Sequence, residues 1–140
     1  MCSFARVRSR REGIESQVMS IPTIHHVQIA MPQGGEDAAR QFYGDLLGLQ
    51  ELPKPASLRD RGGVWFRSDT LELHIGVDHP FVPAIKAHVA FQPKSLDELR
   101  SGLAQAGFVI VEDEPLEGYV RFYTTDPFGN RVELLAPAEG

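Results

Sequence analysis

Short stretches of alternating apolar and polar residues along the chain predict β-strands, and two longer stretches show a helical period. Alternation from Thr23 to Met31 predicts the first strand. Over residues 36–47 the apolar side chains recur every three or four positions, which predicts one buried helix face, and Gly48 is well placed to end that helix. An edge strand, a polar loop and a hairpin complete the first half: 50–52, 57–62, and 63–67 with 70–76. This half therefore runs strand, helix, strand, strand, strand.

The second half of the chain repeats this order of elements after a Pro-rich connector. Residues 87–92 predict a strand, and Ser95 with Glu98 forms a capping-box pair that opens a helix ending at Gly107. The remaining predicted elements are a strand, a loop, a strand, a turn and a strand: 108–111, 113–117, 119–125, 126–130 and 131–135. Residues 21–140 thus form one domain built from two modules, 21–78 and 85–137.

The internal repeat also brings back one histidine and one glutamate at nearly the same spacing. His26 opens the first strand of the first module and His88 that of the second, while Glu72 and Glu133 lie in the last strands. Two such modules cover their apolar faces by lying side by side. We therefore expect an α+β fold in which curved antiparallel sheets surround a central cavity, with the helices outside.

Strand alternation turns these two histidines and two glutamates towards the expected cavity. Two carboxylates buried without partners would cost several kcal/mol, and a bound cation removes that cost. Imidazole and carboxylate donors together suit a five-coordinate or octahedral divalent metal that keeps positions open for water or substrate. The sequence therefore predicts a divalent metal site, with Zn, Ni, Mn, Fe and Co as candidate ions.

Composition and charge narrow the classes of partner. A net charge of −5 over 140 residues argues against nucleic acid and against anionic membranes. The single cysteine, Cys2, allows neither an internal disulfide nor a cysteine-based zinc site. No apolar run reaches the roughly 18–20 residues of a membrane span, and no signal-type segment is present, so we expect a cytoplasmic protein. Residues 1–20 are basic and show neither a helical nor a strand periodicity. We expect them to be a disordered arm, or an extension that precedes the true initiator at Met19.

The beginning and the end of the domain resemble the opening and the closing signature of the vicinal oxygen chelate superfamily. Residues 24–30 with 39–49 are similar to the opening of its members, and residues 122–134 are similar to their closing signature. The superfamily includes glyoxalase I, methylmalonyl-CoA epimerase, extradiol dioxygenases, and the fosfomycin- and bleomycin-resistance proteins. The resemblance covers about residues 22–137, and it implies paired βαβββ modules and a homodimer.

The resemblance also implies which residues hold the metal. His26, His88 and Glu133 match ligand positions of the family, and the fourth place falls on Glu72 by the internal repeat. His74, two residues further along the same strand face, is the rival for that place. We prefer Glu72 because the repeat pairs it with Glu133.

The implied activity is that of a metal-dependent glyoxalase-like lyase or isomerase, which chelates adjacent oxygens of a small substrate and moves a proton. Glu133 or Glu72 would be the catalytic base. If their strand faces are concave, Arg121, Tyr123, Trp65 and Arg67 would bind substrate; otherwise they are exposed hairpin surface.

Three alternative activities stay open. An extradiol dioxygenase needs two histidines and one glutamate around iron, which the chain supplies. A fosfomycin-type thiol transferase has a strand similar to residues 118–123, although its full set of phosphonate-binding groups has no match here. A drug-binding protein of the bleomycin-resistance kind binds its ligand without metal, and an acidic surface suits a cationic drug.

Overall fold

The computed structural model describes residues 19–139, and the predicted arm lies outside this range except for Met19 and Ser20. Within these residues the chain forms seven strands, and most of the predicted elements are present. The strands are β1 (Val27–Met31), β2 (Gln50–Leu52), β3 (Val64–Ser68), β4 (Leu71–Val77), β5 (Val89–Phe91), β6 (Tyr119–Thr125) and β7 (Arg131–Pro137). The helices are α1 (Glu36–Ala39), which continues as a π-helical segment (Arg40–Leu46), a 3₁₀ helix (Ala56–Arg61) and α2 (Leu96–Gln105).

Some predicted boundaries are wrong. The first strand begins at Val27 rather than at Thr23, and β5 is three residues long, so His26 and His88 lie just before their strands. A 3₁₀ helix replaces the predicted polar loop at 57–62. The strand predicted at 108–111 is reduced to one bridge between Val111 and Tyr123, because the chain leaves the edge of β6 directly afterwards.

The strands form two sheets of mixed rather than antiparallel type, which corrects the sequence prediction. The strand order is β1-β4-β3-β2 in the first sheet and β5-β7-β6 in the second. β1 runs parallel to β4 and β5 parallel to β7, whereas every other pair is antiparallel. The helix after β1 returns the chain, so β2 starts in the direction of β1, and two hairpin reversals then leave β4 parallel to β1. The two sheets do not close around one cavity.

One hydrophobic core lies between the modules and takes side chains from both sheets. Leu73 and Ile75 of the first sheet and Phe122 and Leu134 of the second are fully buried in the same cluster. The π-helical segment adds Phe42, whose ring meets Phe108 edge-on with centroids 5.0 Å apart. Because side chains alternate along a strand, the residues between these core positions lie on the opposite face of each sheet. Those opposite faces carry the polar residues discussed below.

A buried hydrogen-bond network joins the two modules at the turn after β6. The Tyr43 hydroxyl donates to Asp126 Oδ2 at 2.7 Å, and Asn130 Nδ2 donates to the Ala30 carbonyl at 2.8 Å. Asp126 Oδ1 accepts from the backbone N–H of Asn130, so the predicted Asp126–Asn130 turn is confirmed. Burial, together with the negative charge of Asp126, raises the pKa of Tyr43 well above its ordinary value. The tyrosine therefore keeps its proton, and the network fixes one module against the other.

Candidate functional site

His88 and Glu133 form a close pair of donors on the polar face of the second sheet. β5 and β7 are parallel with Ala90 opposite Glu133, which places the side chain of His88 beside the carboxylate. His88 Nε2 lies 2.9 Å from Glu133 Oε1, and His88 Nδ1 lies 2.9 Å from the Lys86 carbonyl oxygen. Glu133 is only 6% exposed.

The contact with Lys86 determines what can lie between these two donors. A carbonyl oxygen only accepts, so Nδ1 of His88 must carry a proton and donate it. In a neutral imidazole Nε2 then carries a lone pair and can only accept. It faces a carboxylate oxygen that is also an acceptor. Two lone pairs at 2.9 Å need a cation between them, either a proton or a metal ion.

The separation of these donors is compatible with a metal. Zinc binds histidine nitrogen and carboxylate oxygen at about 2.0–2.2 Å, so two neighbouring ligands at right angles lie about 3 Å apart. The donation of Nδ1 to a backbone carbonyl is the usual way in which a ligand histidine is oriented. The residues of the second module thus suit a divalent cation held by His88 Nε2 and Glu133 Oε1.

Tyr123 and Arg121 surround the second oxygen of Glu133. Arg121 Nη1 donates to the Tyr123 hydroxyl at 2.8 Å and lies 3.6 Å from Glu133 Oε2. Burial, then hydrogen bonding to Glu133 and its negative charge, raise the pKa of Tyr123. The His88 ring meets the Tyr123 ring edge-on, with centroids 5.5 Å apart. These contacts hold the carboxylate and the imidazole in place from one side.

The first module carries a stack of three aromatic rings on the corresponding face. The His74 ring lies between Trp65, at 3.8 Å between centroids, and His26, at 4.1 Å, and all three rings are nearly parallel. His74 is therefore buried, with 6% exposure. His74 Nε2 lies 2.7 Å from Glu72 Oε2, and this hydrogen bond lowers the pKa of Glu72. His25 Nδ1 lies 2.9 Å from His26 Nδ1 at the end of the stack.

The strand registers favour His74 over Glu72 as the counterpart of Glu133. The residue two positions after His26, Gln28, pairs with His74, just as the residue two positions after His88 pairs with Glu133. The antiparallel partners agree, because Trp65 lies opposite His74 and Tyr123 lies opposite Glu133. The comparison of sequences alone misaligned the last strands by two residues, since the segments between the strands differ in length in the two modules.

The four predicted metal ligands lie as two separate pairs in the chain. His26 and Glu72, with the rival His74 beside them, belong to the first module, and His88 and Glu133 belong to the second. Among residues 19–139, no group of three or more His, Cys, Asp or Glu residues is arranged to hold a metal ion. The reason is geometric: the apolar faces of both sheets share one core, so their polar faces are directed away from it.

The other predicted contact residues divide between the two sheets. Trp65 stacks on His74, and Arg67 is exposed beside Glu72 on the neighbouring strand. One residue that sequence reasoning missed is Arg131, which lies on the polar face near Tyr123 with its Cζ atom 3.9 Å from the ring centroid. Alternation back from Glu133 along β7 would have found it.

A cavity of about 280 Å³ lies between the β1 and β5 regions of the two modules. Its lining is mostly apolar and includes Val27, Ile29, Tyr43, Phe91 and, as one of the few polar groups, His88. No helix in residues 19–139 is long and apolar enough to cross a membrane.

Comparison with known proteins agrees with this architecture. The model of the Glyoxalase/Bleomycin resistance protein/Dioxygenase superfamily matches residues 23–134. A crystal structure of a Bacillus anthracis protein assigned to the glyoxalase family is 43% identical, covers 87% of this chain and 100% of its own, and superposes with a TM-score of 0.82. A glyoxalase/dioxygenase from Nostoc punctiforme is 22% identical over 88% of this chain and 100% of its own, with a TM-score of 0.70, and supports the fold alone. No curated protein matches the sequence.

Proposed function

Because the chain belongs to the Glyoxalase/Bleomycin resistance protein/Dioxygenase superfamily, we propose that it is a metal-dependent enzyme of the glyoxalase type. Its substrate is a small molecule with two adjacent oxygens, and its reaction is a lyase or isomerase step in which a carboxylate moves a proton. The metal is one of Zn, Ni, Mn, Fe or Co.

The observation that carries this proposal is the pair of acceptor atoms formed by His88 Nε2 and Glu133 Oε1, 2.9 Å apart on a largely buried face. His88 is oriented by Lys86, so its lone pair is directed at the carboxylate. Two acceptors at this distance need a cation between them, a proton or a metal ion, and in this proposal a divalent metal takes that place in the active protein. His26 and His74 are the matching donors of the first module, and Glu72 orients His74 by hydrogen bonding.

The residues around Glu133 support a role in proton transfer. A divalent cation bound here would polarise a substrate oxygen and make the neighbouring C–H bond more acidic. Glu133 would accept that proton and return it to the adjacent carbon, because it is the carboxylate paired with His88 on this face. Arg121, which donates to the Tyr123 hydroxyl, forms an ion pair with the second oxygen of Glu133 and favours one orientation of the carboxylate. The mostly apolar cavity beside His88 offers an apolar surface for the carbon atoms of the substrate.

A homodimer completes the site in this proposal. Each chain presents one pair of donors on each of two polar faces, and neither pair alone fills a coordination shell. β1 and β5 are edge strands of their sheets, so each leaves a free edge next to its donor pair. Apolar side chains near these edges are exposed, and a second copy would cover them: Ile21, Ile24, Val82 and Ile85. We therefore propose that the first-module pair of one chain, His26 and His74, lies against the second-module pair of its partner, which is formed by His88 and Glu133.

Metal analysis of untagged protein tests the proposal. The wild-type protein should retain or take up one of the five candidate metals, and His88→Ala should reduce uptake by at least about tenfold. His79→Ala is the matched control, because His79 is an exposed histidine outside both pairs, and this variant should bind metal like the wild type. A wild-type protein that binds none of the five metals would refute the proposal. A drug-binding protein would instead keep its ligand affinity in the His88→Ala variant.

An extradiol-type dioxygenase is the second candidate, and the register observation favours it. With His74 rather than Glu72 facing the site, the donors are three histidines and a single carboxylate, Glu133. Iron oxygenases use one carboxylate with two histidines, which Glu133 and two of these three histidines would supply. Aerobic ring cleavage of a catechol by the iron-loaded protein would select this candidate. Conversion of 2-oxoaldehydes, measured with and without glutathione, would select the glyoxalase type and show whether a thiol is needed.

A further inference from the structure

Two arginines flank Tyr123 on the polar face of the second sheet. Arg131 lies over the face of the ring with its Cζ atom 3.9 Å from the centroid, and Arg121 donates to the hydroxyl at 2.8 Å. The side chain of Arg131 is 29% exposed and that of Arg121 is 16% exposed, so both are partly buried. Arg121 is further fixed because its Nε and Nη2 atoms both donate to the Glu114 carbonyl.

One oxygen of Asp113 lies between these two cations without bonding to either. Asp113 Oδ2 is 3.9 Å from Arg121 Nη2 and 3.9 Å from Arg131 Nη2, which is too long for a hydrogen bond. The other oxygen, Oδ1, accepts from the Glu114 N–H at 2.7 Å, and the side chain is 44% exposed. Both arginines therefore favour a negative charge at the position of Asp113 Oδ2, but this oxygen forms no hydrogen bond with either of them.

Arg131 has hydrogen-bonding capacity that the protein leaves unused. Among residues 19–139 no atom accepts a hydrogen bond from its guanidinium group, although that group carries five N–H donors. A guanidinium group with this exposure normally forms a paired, charge-assisted contact with a carboxylate or phosphate. The donors of Arg131 are thus available to a ligand.

We propose that Arg121 and Arg131 form an anion subsite that binds a carboxylate or phosphoryl group of the substrate, next to the His88 and Glu133 pair. The proposal rests on the proposed function and names its substrate class, a small anionic molecule with adjacent oxygens. A cation held by Glu133 would offset part of the negative charge that Arg121 faces and would make the subsite more positive. The anionic group then replaces Asp113 as the partner of both arginines, and the reacting oxygens lie near His88 and Glu133.

NMR titration of the metal-free and metal-loaded protein tests the subsite directly. Acetate and inorganic phosphate are the probes, chloride at equal ionic strength is the blank, and the side-chain Nε–Hε signals of the two arginines are observed. We expect saturable shifts of both signals. The probe that saturates at the lower concentration shows whether the subsite prefers a carboxylate or a phosphoryl group. Arg131→Gln should weaken binding by about tenfold or more, since a charge-assisted hydrogen bond is lost.

Asp113→Asn gives the opposite result and keeps the test independent of damage to the fold. Removing the negative charge that competes with the anion for both arginines should tighten binding by roughly fivefold. Arg100→Gln is the matched control: Arg100 also lies over an aromatic ring, that of Phe122, and beside an acidic residue, Glu112, but it belongs to α2. This variant should bind both probes like the wild type.

The outcomes separate the two proposals. Linear, unsaturable shifts in both the wild type and Asp113→Asn, or saturable shifts that Arg131→Gln leaves unchanged, would overturn the anion subsite. Saturable binding in a protein that takes up no metal would support the subsite and refute the proposed function instead.

Discussion

Mixed dimers of two inactive variants give a decisive test of how the site is assembled. The perturbations are His88→Ala, which removes a donor of the second module, and His74→Ala, which removes a donor of the first module. In the proposed dimer every metal site takes one pair of donors from each chain. Both sites of either variant homodimer are therefore damaged, and both homodimers should lose metal.

The expected magnitude follows from the two pairs that each chain carries. In a mixed dimer, the intact first-module pair of the His88→Ala chain meets the intact second-module pair of the His74→Ala chain, and the other site carries both defects. Purified mixed dimers should therefore bind half as much metal as the wild type. An equal mixture that reassorts at random should regain about a quarter of all sites, because about half of its dimers are mixed and each has one intact site.

The assay uses the two variants with different cleavable tags, co-expressed, purified by both tags in turn and analysed for metal after tag removal. The fluorescence of Trp65, the only tryptophan, gives a second readout, since its ring stacks on His74 and should respond to cation binding at the first-module pair. If the mixed dimers bind as little metal as the homodimers, the site is not shared between two chains and the proposed assembly is refuted. A wild-type protein that native mass spectrometry shows to be monomeric would refute it as well.

Three further predictions concern single substitutions. Tyr43→Phe should lower the free energy of unfolding by about 1.5–3 kcal/mol in urea denaturation, because buried Asp126 loses the charge-assisted hydrogen bond from the Tyr43 hydroxyl and Oδ2 keeps only Asn130 Nδ2 as a donor. Since the pKa of Tyr43 is raised in the folded state, stability is fully present below pH about 10 and falls as pH rises further, and Tyr43→Phe should lack that alkaline loss. His74→Ala should weaken metal binding more than Glu72→Gln does, as measured by competition with a chelator; the reverse order would contradict the register argument. Gly63→Ala should destabilise the protein by about 1–3 kcal/mol in thermal unfolding, because Gly63 has a φ of 89° and a Cβ atom there would meet a backbone oxygen.

Local patterns in the sequence determined most of the secondary structure and the duplication. Tyr119–Thr125 was predicted with its observed bounds, and Ser95 caps α2 by accepting from the Glu98 N–H. These elements were predictable because alternation, helical period and capping depend on residues close together in the chain. Family membership was predictable for a similar reason, since the resemblance rests on contiguous motifs, and the family model confirms it over residues 23–134.

Strand direction, register and the grouping of the site residues were decided only by the tertiary structure. Sequence spacing paired Glu72 with Glu133, whereas the registers pair His74 with Glu133, because register follows from hydrogen bonding between strands that are distant in the chain. The separation of the two donor pairs likewise has no local signature. It arises because both sheets bury their apolar faces in one shared core, which turns the faces that carry His74 and Glu133 away from that core.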